Sequence, residues 1–404
     1  MNMKHQILNR YPAVVWIRLY GELLTSVTGS MLAPFFLLYL YEQLDGNVLL
    51  SMIIIGLQPL AEVLFTIVGG GLTDRLGRKK IILFGLLAQS ISMAGFIFAE
   101  SVFFFALYYV LNGLGRAVYI PAQRAQIADS TEANIRSEVF ALINTVASVG
   151  MTLGPVLGYF VYTQDPTLMF GLQSSTLAIY AVLVYFKLPE TIPVDTSENE
   201  QIPQRFSLRT FISRHHYVLS LMIFSLPISF FYAQTESSYR IYIEDMFSEY
   251  LMVLTILASV KAVMSILCEI PLVRWSNRYS FRKIIFISYS LYFIAAISYG
   301  YSTSLSLLVI TQLLLTIAES LGLNRFLNHI SEIAPVNARG LYFSIYGTHW
   351  DLSRMGGPFL GGLVLIEWGG GVLFLLSAFL LLIGGIAQLI LTSEKPSLKI
   401  LQEK

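Results

Sequence analysis

The chain contains twelve apolar runs of about 20 residues, and this repetition restricts its fold more than any other feature. Each run is long enough to cross a bilayer core of about 30 Å as a helix. Backbone polar groups in lipid must be satisfied within the segment, and the alternating ten-residue strands of a membrane barrel are absent from the sequence. We therefore predict an all-α membrane protein with twelve spans near 13–41, 48–70, 81–99, 102–123, 138–162, 168–188, 216–243, 250–273, 282–300, 305–326, 340–366 and 370–392.

The composition agrees with a membrane protein, since 55% of the residues are hydrophobic and only 13% are charged. The net charge of +1 gives no reason to expect a nucleic-acid partner. The single cysteine, Cys268, excludes an internal disulfide and a cysteine-cluster metal site. The sequence shows no metal-ligand cluster and no phosphate-binding loop, so we expect no metal and no cofactor.

The distribution of Lys and Arg predicts the orientation in the membrane, because basic residues concentrate in cytoplasmic connections. The first apolar run is too long for a signal peptide and lacks a cleavage site, so we expect it to be retained. Twelve spans place both termini on one side, and we predict that this side is cytoplasmic and that the protein lies in the cell membrane. The connections without Lys or Arg are 42–47, 100–101, 163–167, 244–249, 301–304 and 367–369.

The second half of the chain repeats the first at an offset of 203 residues. Charged and Gly-Pro positions match in register, which chance similarity between apolar helices does not explain. The repeat predicts two six-helix bundles related by a pseudo-twofold axis, with a site between them. We assign residues 1–190 to the first bundle, 191–213 to a polar linker and 214–404 to the second bundle. The matched pairs include Arg75 with Arg278, Arg136 with Arg339, Gly154 with Gly357, and Pro155 with Pro358.

A short basic connection between the second and third runs reads GGLTDRLGRKK from residue 70 to residue 80. This segment resembles the loop signature of the major facilitator superfamily of secondary transporters. The resemblance implies a latch between the two halves of a transporter, in which Arg78 pairs with Asp129 and Asp74 meets the start of the eleventh span, 340–366. The alternative is a basic loop that only anchors two spans. The predicted latch residues are Gly70, Asp74, Arg75, Gly77, Arg78, Lys79, Asp129 and Arg136.

The fifth run carries Gly150, Gly154, Pro155 and Gly158. Glycines four residues apart let another helix approach closely, and a proline favours a bend. The pattern also resembles the helix-5 motif of proton-driven antiporters, although Tyr159 replaces its last glycine. Because that motif is associated with export, the resemblance favours efflux over uptake. The fourth run has Tyr109 at the position where the antiporter pattern has an arginine, and Arg116 lies two helical turns after Tyr109.

We single out ten charged residues inside the predicted helices. Facing lipid, each would cost about 2.5–3.5 kcal/mol, so we expect them to face one another or a wet cavity. Helical spacing pairs Arg18 with Glu22, Glu236 with Arg240, and Asp351 with Arg354. The 203-residue offset makes Arg116 equivalent to Glu319. Our candidates for proton coupling are, in order, Glu319, Glu22, Asp351 and Glu236. Their expected charge partners are Arg116, Arg18, Arg354 and Arg240. The remaining two of the ten charged residues are Glu62 and Lys261. The alternative for each carboxylate is a static ion pair.

Aromatic residues in the expected cavity helices could stack on a flat or cationic substrate. The same residues would suit an aromatic amino acid. The substrate-cavity candidates are Phe231, Tyr232, Tyr239, Trp350 and Asn112.

These observations predict a secondary active transporter and not an enzyme. By its resemblance to twelve-span drug:proton antiporters, the protein is expected to export small amphipathic compounds by alternating access, driven by the proton gradient. The expected partners are a small-molecule substrate, protons and the lipid bilayer, for a monomer of bacterial origin. The alternatives are a narrow-specificity exporter of an amino acid or sugar, a lipid flippase on the same fold, and a non-transporting sensor.

Overall fold

The computed structural model describes residues 11–68, 76–132, 135–191, 208–334 and 339–393. This part of the chain consists of α-helices and their connections, and it contains no β-strand. The chain divides into two compact units, Met1–Asn199 and Glu200–Lys404. The all-α prediction is confirmed.

The first unit contains seven helices in its described residues. In chain order they are α1 (Ala13–Leu32), α2 (Phe36–Gln43), α3 (Val48–Val68), α4 (Arg78–Ile97), α5 (Val102–Ser130), α6 (Arg136–Tyr162) and α7 (Thr167–Lys187). The most extensive packing joins α1 to α6, α4 to α5, α4 to α7 and α3 to α5.

The second unit contains six helices in its described residues. They are α8 (Leu208–Glu236), α9 (Ser238–Met246), α10 (Tyr250–Ser276), α11 (Phe281–Tyr301), α12 (Leu305–Ile333) and α13 (Arg339–Leu391). The main contacts join α8 to α13, α11 to α13, α11 to α12 and α10 to α12. This pattern repeats the one within the first unit.

The described residues include ten helices long and apolar enough to cross a membrane, or eleven when α1 and α2 are counted as one bent span. The longest helix, α13, is broken at Gly369, whose φ of +78° is unfavourable for residues with a side chain. This break separates the stretches predicted as the last two spans.

The first span of each unit is interrupted at an equivalent position. Helices α1 and α2 meet at an angle of 45° around Pro34, which has no N–H to donate to the preceding turn. Ser237, 203 residues later, leaves the helical conformation between α8 and α9, with φ −127° and ψ −92°. Its hydroxyl donates to the Ala233 carbonyl. The proline makes the first break predictable, whereas the serine gives no comparable signal.

Matching glycines bring equivalent helices into close contact in the two units. A side chain at Gly154 on α6 would overlap Ser30 on α1. A side chain at Gly357 on α13 would overlap Ala233 on α8, and Ala233 is the equivalent of Ser30. The Gln234 amide also donates to the Gly357 carbonyl at 2.9 Å. The internal repeat read from the sequence therefore extends to the contacts within each unit.

Candidate functional site: charged groups within the helical units

A cluster of polar residues joins three helix ends in the first unit. Arg78, the first residue of α4, lies 3.3 Å from the Asp129 carboxylate near the end of α5. This pair is the one that the loop resemblance implied. Gly77 precedes it with φ +91°, a conformation that favours glycine. Of the other predicted latch residues, Gly70, Asp74 and Arg75 lie outside the described residues, as does the side chain of Arg136 at the start of α6.

Glu190, just after α7, completes this cluster, although it was not among the predicted latch residues. Its carboxylate accepts a hydrogen bond from the Lys79 backbone N–H at 3.1 Å and so caps the first turn of α4. The neighbouring backbone is held as well, because the Gln126 amide donates to the Pro189 carbonyl at 3.0 Å. An anion at a helix N-terminus is stabilising by about 0.3–1 kcal/mol. We call Arg78, Asp129, Gln126 and Glu190 the Arg78 cluster.

A second charged group lies inside the first unit on α1. Arg18 pairs with Glu22 one turn along the helix, as the spacing predicted. Arg18 also donates to the Tyr119 hydroxyl on α5 at 2.6 Å and to the Tyr180 hydroxyl on α7 at 3.5 Å. The arginine is 6% exposed. Its hydrogen bonds therefore tie α1, α5 and α7 together, and neither tyrosine was among the predicted site residues.

A third group joins α3 to α5. Arg116 lies 3.5 Å from the Glu62 carboxylate, and both side chains are partly exposed. Asn112, one turn before Arg116, accepts a hydrogen bond from the Gln58 amide at 3.1 Å. Asn112 is buried. Glu62 is thus the ion-pair partner of Arg116 within the first unit. Helical spacing alone had not assigned this partner.

The second unit holds Glu319, the first candidate for proton coupling. Its carboxylate on α12 lies 3.5 Å from the Lys261 ammonium on α10, and the two side chains are 28% and 39% exposed. The ammonium lies 5.1 Å from the centre of the Tyr232 ring on α8, within the range of a cation–π contact. Among the described residues, Lys261 therefore supplies the positive charge that balances Glu319.

Two buried tyrosines border this ion pair. Tyr232 and Tyr292 pack edge to face with ring centres 5.9 Å apart, and both lie near Glu319. Glu319 Oε2 faces the Lys261 ammonium, and no hydrogen bond of ordinary geometry joins it to either tyrosine hydroxyl in the described part of the protein.

The aromatic candidates of the second unit fall into two groups. Phe231 and Tyr239 are buried against Tyr299 and Phe374, an arrangement typical of a packed core. Trp350 instead lies against Tyr232, at 5.4 Å between ring centres, and so belongs to the surroundings of the ion pair.

Two further pairs predicted from spacing lie in different settings. Glu236 ends α8 and Arg240 lies in α9, so the break at Ser237 removes the helical geometry that a spacing of four assumes. Asp351 and Arg354 both lie in α13, and both are exposed. Arg240 and Asp351 each take part in an interaction within the protein.

The glycines of the fifth predicted span lie on α6, where this helix meets α1. Gly150, Gly154 and Gly158 are all buried, and side chains at these positions would overlap Ser26, Ser30 and Met31 respectively. Pro155 is buried beside them. The motif therefore makes a close helix contact.

Within the described residues, no group of three or more His, Cys, Asp or Glu side chains could hold a metal ion.

The fold and these charged groups define a membrane transporter, and comparison with known proteins gives its family. The model described as "Major Facilitator Superfamily" matches residues 19–268 and 242–404. The uncharacterized MFS-type transporter YhjO of Bacillus subtilis (strain 168) is 45% identical over 399 residues, covering 99% of this chain and 98% of that protein. The chain therefore belongs to the major facilitator superfamily. It is a multi-span transporter and not an enzyme.

More distant relatives carry names that describe a transported species. A Na⁺, Li⁺, K⁺/H⁺ antiporter of Planococcus maritimus is 22% identical, covering 85% of this chain and 87% of that protein. Multidrug resistance protein 2 of Bacillus subtilis (strain 168) is 26% identical, covering 78% of this chain and 79% of that protein. Among solved structures, the nucleoside transporter NupG matches with a TM-score of 0.77 at 14% identity, covering 95% of this chain and 100% of that one. That structural match supports the fold alone.

Proposed function

We propose that this protein is a proton-coupled exporter of small amphipathic compounds, with a multidrug range. The observation that carries the proposal is the Lys261–Glu319 pair, a partly buried carboxylate within a membrane span. Charged groups in spans are costly, and they typically mark ion or proton pathways in transporters. The ammonium balances the charge of the ionised carboxylate, and when the carboxylate binds a proton the ammonium still has the Tyr232 ring beside it.

Three further features support export driven by protons. Glu22 on α1 supplies a second intramembrane carboxylate, paired with Arg18. The glycine-proline motif of α6 resembles that of antiporters and forms the close α1–α6 contact expected of it. The relatives include Multidrug resistance protein 2. We further propose a monomer in the cell membrane with both termini cytoplasmic, working without a cofactor.

The Arg78 cluster fits the latch in this proposal. Its ion pair and helix cap lie at the ends of α4, α5 and α7 and are partly exposed. Exposed pairs are worth only about 0–1 kcal/mol, so they can form and break during each transport cycle. The cluster would then stabilise one conformation without locking it.

The proposal can be tested in everted membrane vesicles that contain the protein and carry an imposed proton gradient. Addition of ethidium or tetraphenylphosphonium should dissipate the gradient in vesicles with the wild-type protein. Glu319→Gln should abolish this response at equal protein content, because the amide cannot carry the proton. The proposal is wrong if neither cation moves protons through the wild-type protein.

A second candidate is monovalent cation/proton antiport, favoured by the relative from Planococcus maritimus. The same carboxylates could bind Na⁺ or a proton in turn. Addition of Na⁺ or K⁺ in place of the organic cations distinguishes the two functions. Dissipation by Na⁺ alone would identify a cation antiporter, whereas dissipation by the organic cations alone supports multidrug export.

A further inference from the structure

The connection between α10 and α11 in the second unit concentrates positive charge at one end of two membrane spans. Its basic residues, from the last turn of α10 to the first turn of α11, are Arg274, Arg278, Arg282 and Lys283. All four are exposed. The whole segment 270–318 contains no Asp or Glu, so the sequence around the connection supplies no balancing negative charge.

The equivalent connection of the first unit is different, because it is accompanied by carboxylates. Asp74 lies within it, and Glu190 caps α4 beside it. At the positions 203 residues later the chain has Asn277 and Ser393, so neither carboxylate has a counterpart. The basic residues are retained, in the pairs Arg75 with Arg278, Lys79 with Arg282, and Lys80 with Lys283. The second connection thus keeps the positive charge of the first without these two acids.

The acidic side chains on the adjoining parts of α10 and α12 are engaged elsewhere. Glu269 accepts a hydrogen bond from the Asn324 amide at 3.4 Å, and Glu332 accepts one from the Asn328 amide at 2.8 Å. Within the part of the chain that the structure describes, none of the four basic side chains of the connection forms an ion pair. Their charge is therefore not neutralised by the described residues.

Two of these arginines lie at the ends of apolar stripes that face lipid. On α10 the exposed residues Leu267 and Ile270 are followed, one turn later, by Arg274. On α11 Arg282 lies one turn before Phe286, which is 59% exposed. Both helices are long and apolar enough to cross a membrane. A guanidinium at the end of such a stripe lies at the level of the lipid headgroups, where basic residues attract anionic lipids.

Aromatic rings and one further arginine hold this connection in an ordered arrangement. The Trp275 ring is partly exposed and packs against Tyr279, with ring centres 4.8 Å apart. The Lys283 ammonium lies 4.0 Å from the centre of the same tyrosine ring. Arg325 on α12 donates to the Asn277 side chain at 3.3 Å and to the Tyr279 carbonyl at 3.1 Å. Tryptophan is also a residue enriched at membrane–water interfaces.

We propose that this end of the second unit binds an anionic phospholipid of the surrounding bilayer. The binding residues are Arg274, Trp275, Arg282 and Lys283, which we call the Arg274 cluster. The two guanidinium groups donate hydrogen bonds to the phosphate oxygens of the headgroup, and Lys283 adds a third positive charge. The acyl chains lie along the exposed stripes of α10 and α11, with Trp275 at the boundary between headgroup and chains.

Trp275 provides a reporter for the bound lipid, because it belongs to the cluster. The other three tryptophans, Trp16, Trp350 and Trp368, are replaced by Phe. This single-tryptophan protein is reconstituted in vesicles of phosphatidylcholine and phosphatidylglycerol in equal amounts, with brominated acyl chains on one lipid or on the other. Bromine quenches the fluorescence of a nearby tryptophan. We expect stronger quenching when phosphatidylglycerol is the brominated lipid.

Variants of the two arginines assign the preference to the cluster. Arg274→Gln and Arg282→Gln should each lower the binding of phosphatidylglycerol relative to phosphatidylcholine about fivefold, as expected for the loss of one basic residue near the membrane surface. The double variant should show no preference, whereas Arg282→Lys should retain most of it. Size-exclusion chromatography verifies folding. If the single-tryptophan protein does not fold, native mass spectrometry of lipids retained by the wild-type protein and the double variant gives the same comparison.

Two controls separate a site from general attraction to a charged surface. A single-tryptophan protein that retains Trp368, which is 63% exposed beside a connection without Lys or Arg, should be quenched equally by both brominated lipids. Arg278→Gln should have a smaller effect than Arg282→Gln, because Arg278 lies in the connection and not on either stripe. Equal quenching of Trp275 by the two lipids, or equal losses in Arg278→Gln and Arg282→Gln, would overturn the proposal.

A comparison of salts distinguishes a lipid headgroup from a free anion. Sodium phosphate and sodium chloride at the same ionic strength should weaken the preference equally, since both only screen the charges. A selective loss in phosphate would show that the cluster takes a free anion, and the lipid proposal would then be wrong. None of these measurements uses a transported compound, so their outcome is independent of the proposed function.

Discussion

Arg116 and Glu319 occupy equivalent positions, 203 residues apart, yet they carry opposite charges. Each is paired within its own unit, Arg116 with Glu62 and Glu319 with Lys261, at 3.5 Å in both cases. The first pair joins α3 to α5, and the second joins the equivalent helices α10 and α12. The two pairs thus join equivalent helices through one equivalent position of opposite charge, while their partners differ, since Lys261 is equivalent to Gln58 and not to Glu62.

Removal of Arg18 should destabilise the protein strongly. Arg18→Met leaves the Glu22 carboxylate without its cation and the Tyr119 hydroxyl without its donor, and breaking a buried pair costs about 3–5 kcal/mol. Arg18→Met combined with Glu22→Leu should recover much of this loss. Thermal unfolding in detergent measures both variants. If the double variant were no more stable than the single one, the pairing would not explain the effect.

A side chain at Gly154 should disrupt the contact between α1 and α6. Gly154→Val would overlap Ser30 and Met31, and overpacking of this kind costs about 1–3 kcal/mol. Gly356 provides the matched control, because a Cβ there would meet no atom within 4 Å. Gly356→Ala should be neutral or slightly stabilising in the same thermal assay. Equal destabilisation by both changes would argue against close helix packing as the role of Gly154.

Loss of the Arg78–Asp129 pair should affect the transport rate more than stability. Asp129→Asn removes a partly exposed ion pair, whose contribution to stability is about 0–1 kcal/mol. If the Arg78 cluster is the latch, the maximal rate of ethidium-driven proton movement should fall several-fold, with little change in the ethidium concentration at half-maximal rate. Initial rates in everted vesicles provide the measurement, and an unchanged maximal rate contradicts the latch.

Phe231 and Trp350 should respond differently to substitution. Phe231 is fully buried in an aromatic cluster, so Phe231→Ala should cost about 3–5 kcal/mol of stability. Trp350→Phe keeps an aromatic ring beside Tyr232 and should change the selection among organic cations while leaving stability nearly unaltered. Thermal unfolding and a comparison of ethidium with tetraphenylphosphonium distinguish the two. A selectivity change in a stable Phe231→Ala variant would place Phe231 in the substrate site.

Much of the fold could be predicted because it depends on local patterns. Apolar runs long enough to cross a bilayer define the helices, and Pro34 marks the bend in the first span. The family and the internal repeat followed from charged and glycine positions in register. The Arg18–Glu22 and Arg78–Asp129 pairs were also anticipated, the first from helical spacing and the second from a motif.

The remaining pairings depend on which faces of distant helices meet. Lys261 and Glu319 are far apart in the sequence, and nothing in either segment specifies their contact. Ser237 illustrates a different limit, because a helix break without proline or glycine separates Glu236 from Arg240 and removes their predicted spacing. The repeat did indicate one of these contacts. Gln58 and Lys261 are equivalent positions, and each contacts the helix that it faces, through Asn112 and Glu319 respectively.

The ion pairs of Arg18, Arg116 and Lys261 each close within one unit. Each unit is consequently close to electroneutral at these sites, whatever its neighbour does. Isolated ions are expensive in the hydrocarbon, and the neutralisation of these three pairs requires no residue of the other unit.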